Sequence, residues 1–134
     1  MLNGSCLCGA LRYTVDAAVS ELRACHCTHC QKSSGGAGTV NAVIPSSAFK
    51  LTQGAPKRYD VKADSGRILY RYFCGACGSP LYSQRANNPD IVVVRAGSFD
   101  DAGEMNIGTH IWTKSARSWD HIDPAAKQFP AQPA

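Results

Sequence analysis

The sequence lacks long apolar runs, clustered charges and helical periodicity. Its longest purely apolar segment, Ile91–Val94, is far shorter than the roughly 20 residues that cross a bilayer, so no membrane partner is expected. Basic residues form no block of five or six, and there is no acidic tail. The net charge of +4 therefore does not indicate a nucleic-acid partner. No window of about 12 residues repeats apolar side chains at helical spacing, which argues against a helical fold.

Secretory features and a disulfide pattern are also missing. The first residues, Met1–Cys6, contain neither a charged segment nor the apolar run of roughly 7–15 residues that is typical of secretory signals. We therefore expect a cytoplasmic protein, in which thiols stay reduced. The seven cysteines are an odd number and lie in three short clusters, which does not suit long-range disulfides. Their concentration indicates metal binding.

Short alternating segments separated by turn signals predict an all-β fold with one or two short helical turns. Gly9–Val15 is typical of a half-buried strand. Cys27–Lys32 is a predicted helical turn, and 64–66 is a predicted loop turn. The 134 residues fit one domain, 1–134, whose proline-rich tail from about 124 to 134 is expected to pack loosely.

The cysteines follow the spacings C-x-C, C-x-C-x-x-C and C-x-x-C. Zinc takes four ligands in a structural site but three and an open position in a reactive one, so seven thiols suggest one Cys₄ site and one Cys₃ site. A [4Fe–4S] cluster would need a fourth ligand near a group of three. Two groupings are compatible with the spacing: Cys27, Cys30, Cys74 and Cys77, leaving Cys6, Cys8 and Cys25; or Cys6, Cys8, Cys74 and Cys77, leaving Cys25, Cys27 and Cys30.

We favour the second grouping, because three ligands within six residues can share one loop and leave one face of the metal open. Segments typical of strands flank the distal C-x-x-C-G. This arrangement predicts a knuckle, a turn whose backbone amides point at the cysteine sulfurs.

In their order, these motifs resemble the glutathione-dependent formaldehyde-activating (GFA) family. The resemblance rests on G-S-C-x-C-G-x-x-x-Y, C-H-C-x-x-C-x-x-x-x-G and C-x-x-C-G-x-x-L. A C-terminal pattern of the family is matched as well. The matching segments are Gly4–Tyr13, Cys25–Gly35, Cys74–Leu81, His110–Trp112 and Ser115–Trp119.

The resemblance implies an Mss4-like (β-tent) zinc-binding fold. It also implies a carbon–sulfur lyase that joins glutathione, or a related small thiol, to formaldehyde or another small aldehyde, giving an S-hydroxymethyl adduct. Two zinc ions are implied. The structural zinc would be held by Cys6, Cys8, Cys74 and Cys77, and the labile zinc by the catalytic cysteines Cys25, Cys27 and Cys30.

Thiol chemistry limits what such a site can achieve. A free thiol with a pKa near 8.5 is only about 3% thiolate at pH 7. Lowering that pKa by ~2 units raises the thiolate fraction some 25-fold, but the accompanying loss of nucleophilicity costs roughly 8-fold, so the net gain is only about threefold. A Zn²⁺ ion together with three thiolate ligands has a net negative charge, which makes the bound ion a weak Lewis acid. We predict a modest catalyst that works mainly by holding thiol and aldehyde together.

The imidazoles and cations allow several roles. His26 and His29 could ligate a metal, donate hydrogen bonds or lie at the surface, and His29 could relay a proton. His110 is more typical of a packed histidine. Three cations near the cysteine motifs could bind substrate carboxylates, but a solvated surface explains them more simply: Lys32, Arg71 and Arg85.

Two other functions stay open at this point. One is a non-catalytic zinc-binding module for a protein or nucleic acid, and the other is a hydrolase or lyase that acts on a different thiol adduct. The sequence does not indicate an oligomeric state.

Overall fold

The computed structural model describes residues 1–62, 66–101 and 103–133. The chain is mostly β, with 47% of residues in strands and one helix among the described residues, which confirms the all-β prediction. The predicted turn at 64–66 falls mostly outside these residues, as does the last residue of the predicted tail. The strands are β1 (Leu2–Ser5), β2 (Arg12–Val15), β3 (Glu21–Cys25), β4 (Thr39–Pro45), β5 (Phe49–Gln53), β6 (Lys57–Lys62), β7 (Ile68–Phe73), β8 (Pro80–Arg85), β9 (Asn88–Arg95), β10 (Asn106–Ile111) and β11 (Lys127–Gln128).

The helix, α1 (Thr28–Ser34), overlaps the predicted helical turn and continues slightly beyond it. Three single 3₁₀ turns lie at Ser46–Ala48, Ala96–Ser98 and Thr113–Ser115. In the part of the chain that the structure describes, no helix is long and apolar enough to cross a membrane.

The chain divides into two compact units, and the first consists of Met1–Ala18 and Val43–Gly103. In this unit β1, β2 and β5 are antiparallel neighbours, and β6 to β9 pair antiparallel in chain order. Buried side chains alternate with more exposed ones along β2, as its sequence predicts.

Tyr13 anchors the core of this first unit. Its buried ring stacks on Phe49 at 5.1 Å between centroids, and its hydroxyl lies 2.6 Å from Ser98 Oγ. Gly4 is opposite Tyr13 in the β1–β2 pairing, where a Cβ would lie 2.0 Å from the ring. The first and last residues of the N-terminal motif thus pack directly together, which fixes the ends of the segment that carries the C-x-C pair.

The second unit consists of Val19–Ala42 and Glu104–Ala134. In this unit β3 pairs antiparallel with β4 and parallel with β10, which pairs parallel with β11. Cys25 therefore ends a strand that has neighbours on both sides, opposite Thr39 and Ile111. The tail bonds to β10 through the N–H of Phe129, which donates to the carbonyl of His110 at 2.9 Å. The prediction that the chain forms a single domain with a loosely packed C-terminal tail stays a prediction.

Gly38 packs against the end of β3, so a substitution at this position tests this part of the fold. Its φ is 150°, and a Cβ there would lie 2.1 Å from the carbonyl oxygen of Cys25. We expect Gly38→Ala to lower the melting temperature by at least about 5 °C, because the strained backbone costs about 1–3 kcal/mol before the clash is added. Thermal unfolding followed by circular dichroism measures the shift.

Gly36→Ala is the matched control. A Cβ at Gly36 meets only Ser34 Oγ at 3.7 Å, which is an ordinary contact. Its melting temperature should change by about 2 °C or less. Equal shifts in the two variants would contradict the close packing of Gly38 on Cys25.

Candidate metal centres

Four cysteines of the first unit meet in one cluster. The sulfurs of Cys6, Cys8, Cys74 and Cys77 all lie within 4.8 Å of one another. The Cys6–Cys8 and Cys8–Cys74 sulfur pairs are 3.6 and 3.8 Å apart. A tetrahedral Zn²⁺ with Zn–S bonds of about 2.3 Å requires about 3.8 Å between sulfurs, so the cluster fits zinc. This is the four-cysteine grouping that we favoured from the sequence.

Backbone amides orient two of these sulfurs. The N–H of Leu11 donates to Cys6 Sγ at 3.3 Å, and the N–H of Cys77 donates to Cys74 Sγ at 3.5 Å. The N–H of Gly78 closes the second turn by donating to the Cys74 carbonyl at 2.8 Å, and its φ of 79° favours glycine. The predicted knuckle with amides directed at sulfur is therefore confirmed.

The sulfurs of this cluster differ in how readily they ionise. The Ala10 backbone favours the thiolate of Cys8, but the thiols of Cys6 and Cys77 outweigh it and raise the pKa of Cys8 to about 11. The hydroxyl of Ser79 lies 3.2 Å from Cys77 Sγ, and together with the Ser79 backbone it lowers the pKa of Cys77 to about 5. Burial opposes ionisation of Cys6, but the Leu11 N–H and the neighbouring thiols outweigh it, so the pKa of Cys6 is also lowered. Sulfurs that ionise readily are suited to bind a cation.

The remaining three cysteines form a second cluster, which we call the triad: Cys25, Cys27 and Cys30. Their sulfurs also lie within 4.8 Å of one another. Cys25 ends β3, Cys27 caps α1 by accepting the N–H of Cys30 at 3.3 Å, and Cys30 lies in the first turn of the helix. Among the described residues no histidine, carboxylate or further cysteine joins these three sulfurs. A metal bound here would keep one coordination position open.

The sulfurs of Cys25 and Cys27 resist ionisation without a metal. Hydrogen bonding to Cys27 and Cys30, together with burial, raises the pKa of Cys25. Bonding to Cys25 lowers the pKa of Cys27, but Cys30 and burial outweigh this effect and the net shift is upward. Crowded thiolates repel each other, and a soft divalent cation would relieve that repulsion.

An apolar wall lies beside the triad. Cys25, Cys30 and Ile111 form a buried cluster, against which Trp112 and Phe129 pack. Trp112 has a left-handed backbone with φ of 58°, which is uncommon for a bulky residue. This wall excludes water from one side of the sulfurs and strengthens electrostatic interactions there.

His26 is buried and faces two partners. Its Nε2 lies 2.8 Å from Nδ1 of His110, and its Nδ1 lies 3.0 Å from Oδ2 of Asp120. The Asp120 contact is at ion-pair distance, but its alignment falls short of a hydrogen bond. With both nitrogens engaged, His26 is neither exposed nor available as a metal ligand in this structure.

His110 is packed, as its sequence context suggested. Burial and the proximity of His26 lower its pKa, so this imidazole is neutral near pH 7. His29 is exposed on the first turn of α1, next to Cys30. It remains the imidazole that could exchange a proton with solvent near the triad.

Gln31 connects the triad loop to the segment after β10. Its buried amide donates from Nε2 to the carbonyls of His26 and Ser115, at 2.8 and 2.9 Å. Its Oε1 accepts from Nε of Arg117 at 2.6 Å. Sequence reasoning missed Gln31, Arg117 and Asp120 as parts of this site, although Arg117 lies within a matched family segment.

The cations that we named from the sequence lie elsewhere or are exposed. Lys32 is exposed on α1. Arg71 and Arg85 belong to β7 and β8 of the first unit, not to the unit that contains the triad.

Comparisons with known proteins place this chain in a family. Residues 1–115 match the family model described as glutathione-dependent formaldehyde-activating enzyme. A relative from Halomonas elongata that bears the family's name is 26% identical over 128 residues, covering 92% of this chain and 82% of its own. One from Emericella nidulans is 32% identical over 79 residues, covering 59% of this chain and 39% of its own, so the match spans under half of that longer protein.

A solved structure shows the same fold. The crystal structure of a Rhodobacter sphaeroides protein superposes with a TM-score of 0.61 at 23% identity, covering 75% of this chain and 90% of its own.

The two clusters should respond differently to the loss of one sulfur. Cys8 and Cys74 are 66 residues apart, whereas the triad lies within six residues, so metal at the four-cysteine cluster closes a far longer loop. The difference in loop entropy is about 2 kcal/mol. We expect Cys74→Ser to lower the melting temperature at least about 5 °C more than Cys27→Ser does.

Zinc analysis and thermal unfolding of the zinc-loaded variants check this expectation. Each variant should lose zinc relative to the parent, but Cys74→Ser should show the larger fall in melting temperature. A larger loss of stability in Cys27→Ser would contradict the division into a closed cluster and an open triad.

Proposed function

The chain belongs to the glutathione-dependent formaldehyde-activating enzyme family, and we propose that it promotes the addition of glutathione, or a related thiol, to formaldehyde or another small aldehyde. A carbon–sulfur bond forms, the thiol proton passes to the carbonyl oxygen, and no redox change occurs. The product is an S-hydroxymethyl thiol adduct. The observation that carries the proposal is the triad, whose three sulfurs converge beside an apolar wall without a fourth protein ligand among the described residues.

We assign the two clusters different metal roles. The four-cysteine cluster would hold a structural zinc, since four sulfurs complete a tetrahedral shell. The triad would hold a labile zinc. When bound there, zinc supplies positive charge that keeps an incoming thiol deprotonated.

The residues around the triad orient and shield the reactants. Cys25, Cys27 and Cys30 define one side of the site, and their repulsion for further negative charge limits activation of the carbonyl. Trp112 and Phe129 exclude water from the adjoining side. Holding the two reactants together is therefore the main source of acceleration, and the rate gain is modest.

In this scheme an exposed imidazole transfers the proton. His29, exposed and adjacent to Cys30, would exchange the proton that leaves the thiol with solvent. His26 and His110 would instead hold the triad loop from the buried side. No disulfide joins any of the seven cysteines in the structure, which suits the cytoplasmic location that we propose.

Exchange spectroscopy tests the proposed reaction. Nuclear magnetic resonance is used to follow the exchange between ¹³C-labelled formaldehyde and its adduct with glutathione. We expect the zinc-loaded protein to raise the exchange rate above the uncatalysed rate, and Cys27→Ser to remove most of the increase because one triad sulfur is lost. A gain of about threefold at equal thiol concentration is the expected scale for thiol activation alone.

A control variant and a measurement of bound zinc make this result decisive. Lys62→Gln, a substitution at an exposed position of β6, should keep the full rate. If Cys27→Ser loses the triad zinc yet retains the full rate, the triad is not the reactive site and the proposal is wrong.

A further inference from the structure

We propose that Arg117 is the residue that recognises a carboxylate group of the thiol substrate. The inference rests on the proposed function and deepens it, because it names the chemical class of thiol that the triad accepts. That class is a thiol with a negatively charged carboxylate, in preference to a neutral thiol of the same shape.

Gln31 fixes the position of the Arg117 guanidinium. This glutamine is 7% exposed, and both ends of its amide are engaged. Nε2 donates to the carbonyls of His26 and Ser115, and Oε1 accepts from Arg117 Nε at 2.6 Å. A buried amide held by three such contacts has little rotational freedom, so Arg117 is held at the nitrogen nearest its chain.

The outer end of Arg117 is available to a ligand. Arg117 is exposed, and within the described ranges its one hydrogen bond is the Gln31 contact and no carboxylate forms an ion pair with it. Its two terminal amino groups therefore keep their donors. That pair of parallel N–H groups matches the two oxygens of a carboxylate.

Arg117 also lies close to the triad through a short chain of contacts. Gln31 follows Cys30 in α1, and its Nε2 bonds to the carbonyl of His26, which lies between Cys25 and Cys27 in the chain. One amide side chain thus separates the guanidinium from the loop that carries the sulfurs. In the proposed complex, a thiol bound at the triad would place a carboxylate several bonds away on Arg117.

Other cations of this unit are less well prepared for the role. The ammonium of Lys114 lies 5.0 Å from the centre of the Trp112 ring, in a cation–π contact. Lys32 is exposed on α1, and no described residue forms a hydrogen bond or an ion pair that fixes its ammonium. Arg117 alone combines a buried anchor with free donors among the described cations beside the triad.

Calorimetry with a charged and an esterified thiol tests the inference. The zinc-loaded protein is titrated with glutathione and with its diethyl ester, which keeps the thiol and loses both carboxylate charges. We expect the wild type to bind glutathione on the order of tenfold more tightly than the ester, because a charge-assisted hydrogen bond at an exposed site contributes on that scale. Arg117→Gln should reduce this ratio towards one by weakening glutathione binding alone, and Lys62→Gln, which removes the same charge elsewhere, should leave it unchanged.

A second variant and a salt series distinguish a loss of carboxylate recognition from a loss of folding. Arg117→Lys keeps the charge but cannot donate to Gln31 with Nε, so it should give an intermediate ratio. In the wild type, raising the salt concentration should weaken binding of glutathione and not of the ester.

The outcomes separate this inference from the proposed function. The role of Arg117 is overturned if the wild type binds glutathione and the ester with equal affinity, or if Arg117→Gln weakens the binding of both thiols equally. This holds even if aldehyde addition is catalysed. A tighter binding of glutathione than of the ester that is lost in Arg117→Gln supports the role of Arg117 in carboxylate recognition. If the same protein then fails to accelerate aldehyde addition with either thiol, the proposed reaction fails and carboxylate recognition stands.

Discussion

Sulfur atoms that lie within 4.8 Å of one another are not stable as thiolates together unless a cation lies among them, because like charges at this distance repel. This chain gathers its seven cysteines into two such groups. The nearby backbone serves those groups: amides point at Cys6, Cys27 and Cys74, and Gly38 lets the chain pass against Cys25. Zinc binding explains these features together.

The two groups differ in what they connect. The four-cysteine cluster joins segments that are distant in sequence, and its shell is complete without any ligand from outside. The triad lies on one loop between β3 and α1, so a metal there closes little chain and keeps a position for another thiol. Our proposal assigns stability and reactivity to separate clusters, each within its own compact unit.

Local patterns predicted the strands, the turn of helix after Cys27 and the favoured grouping of cysteines, since each depends on spacing along the chain. The surroundings of the triad could not be predicted in that way. They depend on the parallel pairing of β3 with β10, which brings His110 opposite Ala24 and carries the following segment to Gln31. A parallel pairing leaves no signal in either strand, so the partners of His26 and the anchor of Arg117 became visible only in the structure.

Native mass spectrometry of the zinc-loaded protein, recorded while glutathione is added, tests the central claim most directly. The account predicts two bound zinc ions at the start. As glutathione increases, one zinc should be lost or should carry a glutathione adduct, and the other should stay unchanged. A single tightly held zinc at every glutathione concentration, or the loss of both ions together, would contradict the claim that one cluster is closed and the other open.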